Sequence, residues 1–168
     1  MSRAKLHVGD AFSIPLDERR FGLGQIVETY GRDAYFFAVF EDVFVDGEYI
    51  DLAEAVRRPV VLLALSLDAK IAAGDWVILG SQPVADSMPL PAFKEMVGTP
   101  DRVDVVDYSG RRRRRARGEE AEWLPNRKIV APVRLEKALK AKHGLEPWND
   151  AYAALEPSLV GTTARFFD

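Results

Sequence analysis

The sequence predicts an α+β protein. A curved antiparallel sheet, SH3-like or a partly open barrel, fills the N-terminal part, and C-terminal helices pack on it. Three observations carry that class. Residues 9–27, GDAFSIPLDERRFGLGQIV, set two apolar segments around a polar turn, Asp17-Glu18-Arg19-Arg20. Residues 34–40 (AYFFAVF) and 60–67 (VVLLALSL) are apolar on both parities, as in strands covered on both faces. The last third changes period, with Leu135, Ala138 and Leu139 on one helical stripe.

In the opening stretch Phe12, Ile14 and Leu16 alternate with Ser13 and Pro15, the period of a half-buried strand. Beyond the turn, Phe21, Leu23 and Val27 share a parity with Gln25, and Gly22 and Gly24 take the other. The bare glycine face admits a second backbone or a ring, so the sheet can bend there. Phe12, Ile14, Leu16, Leu23 and Val27 are the expected core of this corner. Residues 29–33 read as a turn. Residues 34–40 follow as a central strand, their aromatic and β-branched content favouring strand over helix.

Residues 41–54, EDVFVDGEYIDLAE, hold Glu41, Asp42, Asp46, Glu48, Asp51 and Glu54 with no basic residue between them. Asp46-Gly47 signals a turn between short strand-like pieces. Asp51 followed by Glu54 resembles a capping box opening a short helix, LAEAVRR. Arg57 and Arg58 suit that helix's C-terminal dipole, and Pro59 stops it.

Residues 60–67 are a buried strand, 68–74 a helical turn, and 76–79 a strand ending at Gly80. The proline-rich 83–93 is expected as an ordered, irregular loop packed across the sheet. After a short strand at 93–97, residues 102–117 form a second hairpin, RVDVVDY and RRRRRAR around Ser109-Gly110. Residues 119–124 make one helical turn before Pro125. In the helix at 131–143, Pro132 suits the first turn, Glu136 and Lys140 pair at i, i+4, and Gly144 caps the end. Asn149 or Asp150 caps a last short helix through Leu155, and 160–167 is expected to dock as a strand. Without internal repeats or a low-complexity linker, residues 1–168 read as a single domain, 1–100 mainly β and 101–168 a hairpin plus helices.

The bulk numbers exclude several classes. The 168 residues are 48% hydrophobic and 29% charged, the proportions of a soluble globular chain. A net charge of -3 makes no global case for nucleic acid or membrane. The absence of cysteine excludes disulfides, thiolate metal sites and cysteine nucleophiles. The start, MSRAKLHVGDAF, lacks the apolar core of a leader. The longest apolar run falls far short of the ~20 residues that span a bilayer. A cytoplasmic protein is expected.

Catalytic chemistry finds little support. His7 and His143 are the only histidines, and each reads as a surface residue. No His, Asp and Glu spacing resembles a metal site, and no serine lies in a nucleophile elbow. Gly22-Leu23-Gly24 does not open a helix, so it fails as a phosphate loop. Asp101, Asp104 and Asp107, three apart on a strand, put neighbours on opposite faces. No catalytic residue, metal or cofactor is expected.

Two charged stretches remain. Arg111, Arg112, Arg113, Arg114, Arg115 and Arg117 would suit a phosphate-contacting strand. They equally suit a solvated sheet edge that resists aggregation, with Asp104, Asp107, Glu119, Glu120 and Glu122 near enough to neutralise them. No aromatic alternates with the arginines to stack on bases, which favours the edge. The acidic segment is either a solvated loop or a docking surface. On the second reading Glu41, Asp42, Phe44, Asp46, Glu48, Tyr49 and Asp51 are the contact residues, and both readings stay open.

Gly9-Asp10-Ala11-Phe12-Ser13-Ile14-Pro15-Leu16, followed by Phe21-Gly22-Leu23-Gly24-Gln25-Ile26, resembles the start of immunity protein 26 of bacterial polymorphic toxin systems. Phe36-Phe37-Ala38-Val39-Phe40 matches that family's apolar strand. Trp76 to Val84 (WVILGSQPV), with Pro91 and Phe93, matches its later segment. The resemblance covers roughly residues 8 to 95. It implies a non-catalytic inhibitor whose partner is a cognate toxin, often a nuclease and so a basic protein.

Two rivals are weaker. Gly9-Asp10 and the later Arg58-Pro59-Val60-Val61-Leu62 loosely resemble the MazF/PemK endoribonucleases, but the acidic segment makes the gap too long. A nucleic-acid module would use the arginine run, against the net charge. A small-ligand barrel could be lined by Trp76, Phe36, Phe40 and Tyr35, residues that are more often plain core. The sequence leaves the oligomeric state open.

Overall fold

A turn held by Asp17 reverses the chain between its first two strands. The computed structural model describes residues 5–168. Its strands are β1 (Asp10–Pro15), β2 (Arg20–Tyr30), β3 (Ala34–Val45), β4 (Val60–Leu67), β5 (Val77–Ser81), β6 (Phe93–Met96), β7 (Val103–Val106) and β8 (Arg113–Arg115). Its helices are α1 (Leu52–Ala55), α2 (Ala69–Ala72), α3 (Glu120–Trp123), α4 (Pro132–Lys142) and α5 (Thr163–Phe167), with a 3-10 helix at Asp150–Leu155. Residues 1–4, part of the stretch inspected for a leader, lie outside the described residues. No described helix is long and apolar enough to cross a membrane.

The chain folds into two compact units. Unit 1 is Met1–Met88 with Ile129–Glu156, and unit 2 is Pro89–Lys128 with Pro157–Asp168. The first crossing between them falls inside the proline-rich loop.

Unit 1 is built on a five-stranded antiparallel sheet, order β4-β3-β2-β1-β5, that does not close into a barrel. Phe12 pairs with Gly24 and Ile14 with Gly22 across β1 and β2. The missing side chains matter here. A Cβ on Gly24 would lie 2.5 Å from the Phe12 ring, and one on Gly22 would lie 2.6 Å from Leu139 Cδ2. Gly24 therefore admits the ring, and Gly22 admits α4.

Phe12 stacks on Trp76 with centroids 5.2 Å apart, and Phe37 meets Phe12 edge-on at 5.1 Å. Such aromatic pairs add about 0.5–1.5 kcal/mol each beyond burial. Leu135, Ala138 and Leu139 of α4 press on this cluster, joined by Leu155. The five expected corner residues, Phe12, Ile14, Leu16, Leu23 and Val27, are all buried. Trp76, Phe36 and Phe40 are buried core residues, and Tyr35 stacks on Phe37. Gln25 is fully buried and donates from Nε2 to Gly9 O at 3.2 Å and Gln82 O at 2.8 Å.

Several expectations change. The strand expected at 34–40 runs on to Val45, because the start of β2 pairs Phe21 with Phe44 and Arg20 with Val45. Thr29 and Tyr30 belong to β2, and the turn begins at Gly31, whose φ is +61°. Glu136 does not turn to Lys140. It is buried, accepts from Trp76 Nε1 at 3.2 Å and lies 3.6 Å from Lys70 Nζ. A buried indole N–H needs an acceptor, and that need outweighs a surface i, i+4 pair.

Unit 2 holds a three-stranded sheet, order β6-β7-β8, over a small cluster of Ala92, Val105 and Leu124. The expected strand at 160–167 is instead α5. The Thr162 hydroxyl caps that helix by accepting from Arg165 N–H at 3.3 Å. Phe166 and Phe167 pack on the cluster.

Candidate functional site

The acidic segment is made from the end of β3, a turn and α1. Phe44 is held by stacking on Phe21, centroids 5.8 Å apart. The turn is fastened locally. Asp46 N–H donates to Arg19 O at 2.7 Å, and Glu48 Oε2 accepts from Val45 N–H at 2.9 Å. Gly47 supplies the left-handed φ of +83° that the reversal needs. Asp51 Oδ1 then accepts from Glu54 N–H at 3.3 Å and caps α1, as its spacing suggests.

The carboxylates divide into two sets. Glu41 and Asp42 share one cation, with Arg58 Nη2 at 3.2 Å and Arg58 Nε at 3.1 Å. Asp46, Glu48, Asp51 and Glu54 meet no cation within ion-pair distance among the described residues. Between them Tyr49 is 88% exposed, and Val45 is also exposed. This end of unit 1 thus offers an uncovered aromatic ring among uncompensated negative charges.

The neighbouring turn has its own charge closed off. Asp17 accepts from the Arg19 and Arg20 amides at 3.0 and 2.8 Å and from Arg20 Nε at 2.8 Å. The Arg19 amide and then the Arg20 side chain lower its pKa to about 2. His7 is exposed, and its amide donates to Asp10 Oδ2. His143 is half-buried rather than a free surface residue. Burial, then the charges of Arg20 and Lys142, hold its pKa below the ordinary value.

Half of the arginine run, Arg112, Arg113 and Arg114, is matched inside unit 2. Arg112 reaches Asp168 at 2.9 Å and Asp107 at 3.5 Å, and lies over the Phe167 ring. Arg113 reaches Glu95 at 3.1 Å and Asp104 at 3.4 Å. Arg114 grips both oxygens of Glu120 at 2.8 Å and lies over Phe166. That fork is the largest cause lowering Glu120 to a pKa of about 2.

Burial pushes the Asp107 carboxyl up, but Ser109, the Arg112 and Arg111 amides and the Arg112 side chain together hold it below the ordinary value. Asp104 and Asp107 are both buried, yet each faces arginine, so they form no shared carboxylate site. Arg111, Arg115 and Arg117 have no side-chain ion pair within 4 Å among the described residues. The partners Glu95 and Asp168 lie 18 and 56 residues from their arginines, beyond any local pattern. Among the described residues no group of three or more His, Asp and Glu could hold a metal ion.

The sequence matches the family Immunity protein 26 over residues 7–101. DNA-directed RNA polymerase subunit beta of Erythrobacter litoralis (strain HTCC2594) is 38% identical over 109 residues, 62% of this chain. The chain spans 7% of the length of that curated relative. No solved structure matches. The family match takes in the whole five-stranded sheet and the acidic segment, and it ends before the arginine run. It covers more than half of the 168 residues and implies a toxin-neutralising role. The chain belongs to the immunity protein 26 family.

Proposed function

We propose that the protein neutralises a cognate bacterial toxin by binding it, without catalysing a reaction, and that the acidic end of unit 1 is the docking surface. One observation carries the choice of surface: Tyr49, 88% exposed, stands among Asp46, Glu48 and Asp51, none of which meets a cation among the described residues. An aromatic ring that becomes buried on binding is a typical anchor, and the surrounding charge speeds encounter with a cationic partner. Glu41 and Asp42 contribute less, since Arg58 offsets them. Phe44 supports the turn from behind through Phe21.

The toxin class that suits this surface is a nuclease, whose grip on a polyanion requires a basic face. Neutralisation takes place in the cytoplasm of the producing cell, within a polymorphic toxin system. Against a nucleic-acid role, the matched pairs of Arg112, Arg113 and Arg114 leave Arg111, Arg115 and Arg117 for a phosphate backbone.

The test is survival of cells that express the cognate toxin domain. The wild-type protein should protect them. Asp46→Lys with Glu48→Lys, which gives up the Glu48 bond to Val45 N–H in an exposed turn, should keep the wild-type circular dichroism spectrum and fail to protect. Full protection by that double variant would remove the acidic end as the interface.

A further inference from the structure

The sheet edges of the two units are treated differently. β4 is covered inside unit 1: Val130 N–H donates to Leu65 O at 2.9 Å, and Ser66 Oγ donates to Val130 O at 2.6 Å. β6 is bridged by Asn126 through Lys94 in unit 2. β8 is an edge made of Arg113, Arg114 and Arg115, where charge opposes strand addition. β5 has neither protection. It pairs only with β1 among the described residues, and Val77, Ile78 and Leu79 are 52%, 37% and 41% exposed. No charged residue occurs between Asp75 and Asp86. An uncovered, uncharged, apolar edge is a template for another strand.

Charge says which strand. The edge starts beside Asp75, whose side chain is 55% exposed and lies 3.6 Å from Lys70. At its far end a Cβ on Gly80 would lie 3.4 Å from Leu52 Cδ2, so the first residue of α1, next to its cap Asp51, approaches β5. The Asp75 end is matched by Lys70, and the Gly80 end lies beside the start of α1, next in sequence to the acidic turn. Unit 1 as a whole holds 12 Lys and Arg against 18 Asp and Glu, a net -6. A second copy would bring the same negative charge, whereas a cationic chain is attracted.

We propose that β5 receives an extended segment of the toxin as a sixth strand. That segment carries apolar side chains along Val77, Ile78 and Leu79, and Lys or Arg at the end that meets Gly80 and the start of α1. This rests on the toxin-binding reading and adds to it a main-chain mode of recognition. The ladder of backbone hydrogen bonds supplies affinity, and the net negative charge of unit 1 favours a basic segment.

The experiment is hydrogen–deuterium exchange of the full-length protein, alone and with the cognate toxin domain. Exchange at residues 77–81 should slow in the complex. Leu79→Lys, at an exposed position, should weaken binding roughly tenfold or more while the melting temperature holds. A complex in which 44–51 slow and 77–81 do not would overturn strand addition and leave toxin binding standing. No complex at all would overturn both. Concentration-dependent slowing at 77–81 in the protein alone, with dimers in sedimentation, would overturn the toxin as occupant and assign the edge to a second copy.

Discussion

Unit 1 carries a net charge of -6, and unit 2, with 11 Lys and Arg against 8 Asp and Glu, carries +3. The louder feature in the sequence is the arginine run of unit 2. The quieter one is the acidic segment of unit 1, spread over three elements. Folding reverses their weight. Arg112, Arg113 and Arg114 find carboxylates within their own unit, and two of them also cover phenylalanine rings. Glu48 and Asp51 accept from backbone amides, and neither they nor Asp46 meets a cation among the described residues. A matched charge serves the fold. A charge left unmatched beside an exposed Tyr49 is available to a partner.

The largest effect should come from the acidic end. Tyr49→Ala should weaken toxin binding by about 2–3 kcal/mol, with little change in melting temperature because the ring is exposed. Calorimetric titration checks this. A small binding loss would put Tyr49 outside the interface and break the contrast between the units.

Next comes the corner that builds unit 1. Gly24→Ala places a methyl group against the Phe12 ring and should cost about 1–3 kcal/mol of stability, read from denaturant unfolding. A neutral result would mean that the sheet's bend does not depend on this close approach.

Arg114→Ala in unit 2 should cost about 1 kcal/mol, since the pair is partly exposed, and should leave toxin binding unchanged. The same pair predicts an acid response. The Glu120 pKa is lowered from 4.5 to about 2, so its contribution is full above the ordinary value and disappears as pH falls toward 2. Glu120→Gln should therefore flatten the loss of stability between those values in an acid titration followed by circular dichroism. The smallest effect should be on heparin, where the wild-type protein should show no retention at physiological salt. Strong, salt-sensitive retention would mean that Arg111, Arg115 and Arg117 suffice for a polyanion.

Much of the fold was legible because the signals were local. Alternation around Asp17 marks the first hairpin, and the stripe of Leu135, Ala138 and Leu139 marks α4. Asp51 and Asn149 both cap the helices they precede. What stayed hidden depends on distant partners. β3 runs past Phe40 because β2 is long enough to pair with it. Glu136 faces inward because Trp76, 60 residues away, needs an acceptor. Residues 163–167 coil because Thr162 caps them, although their apolar content also fits a strand. For the site, the acidic segment was visible as composition. Which of its carboxylates stay uncompensated depends on Arg58, which lies 16 and 17 residues beyond Asp42 and Glu41. The open edge of β5 is a property of the sheet order and has no signature in Val77–Ser81 alone.

The most direct test of the contrast is one set of calorimetric titrations with the cognate toxin domain. The proteins are the wild type, Asp46→Lys with Glu48→Lys, and the triple variant Arg111→Ala, Arg115→Ala and Arg117→Ala. Binding should be lost in the first variant and match the wild type in the second. Binding kept by the acidic-end variant and lost by the arginine variant would contradict the account.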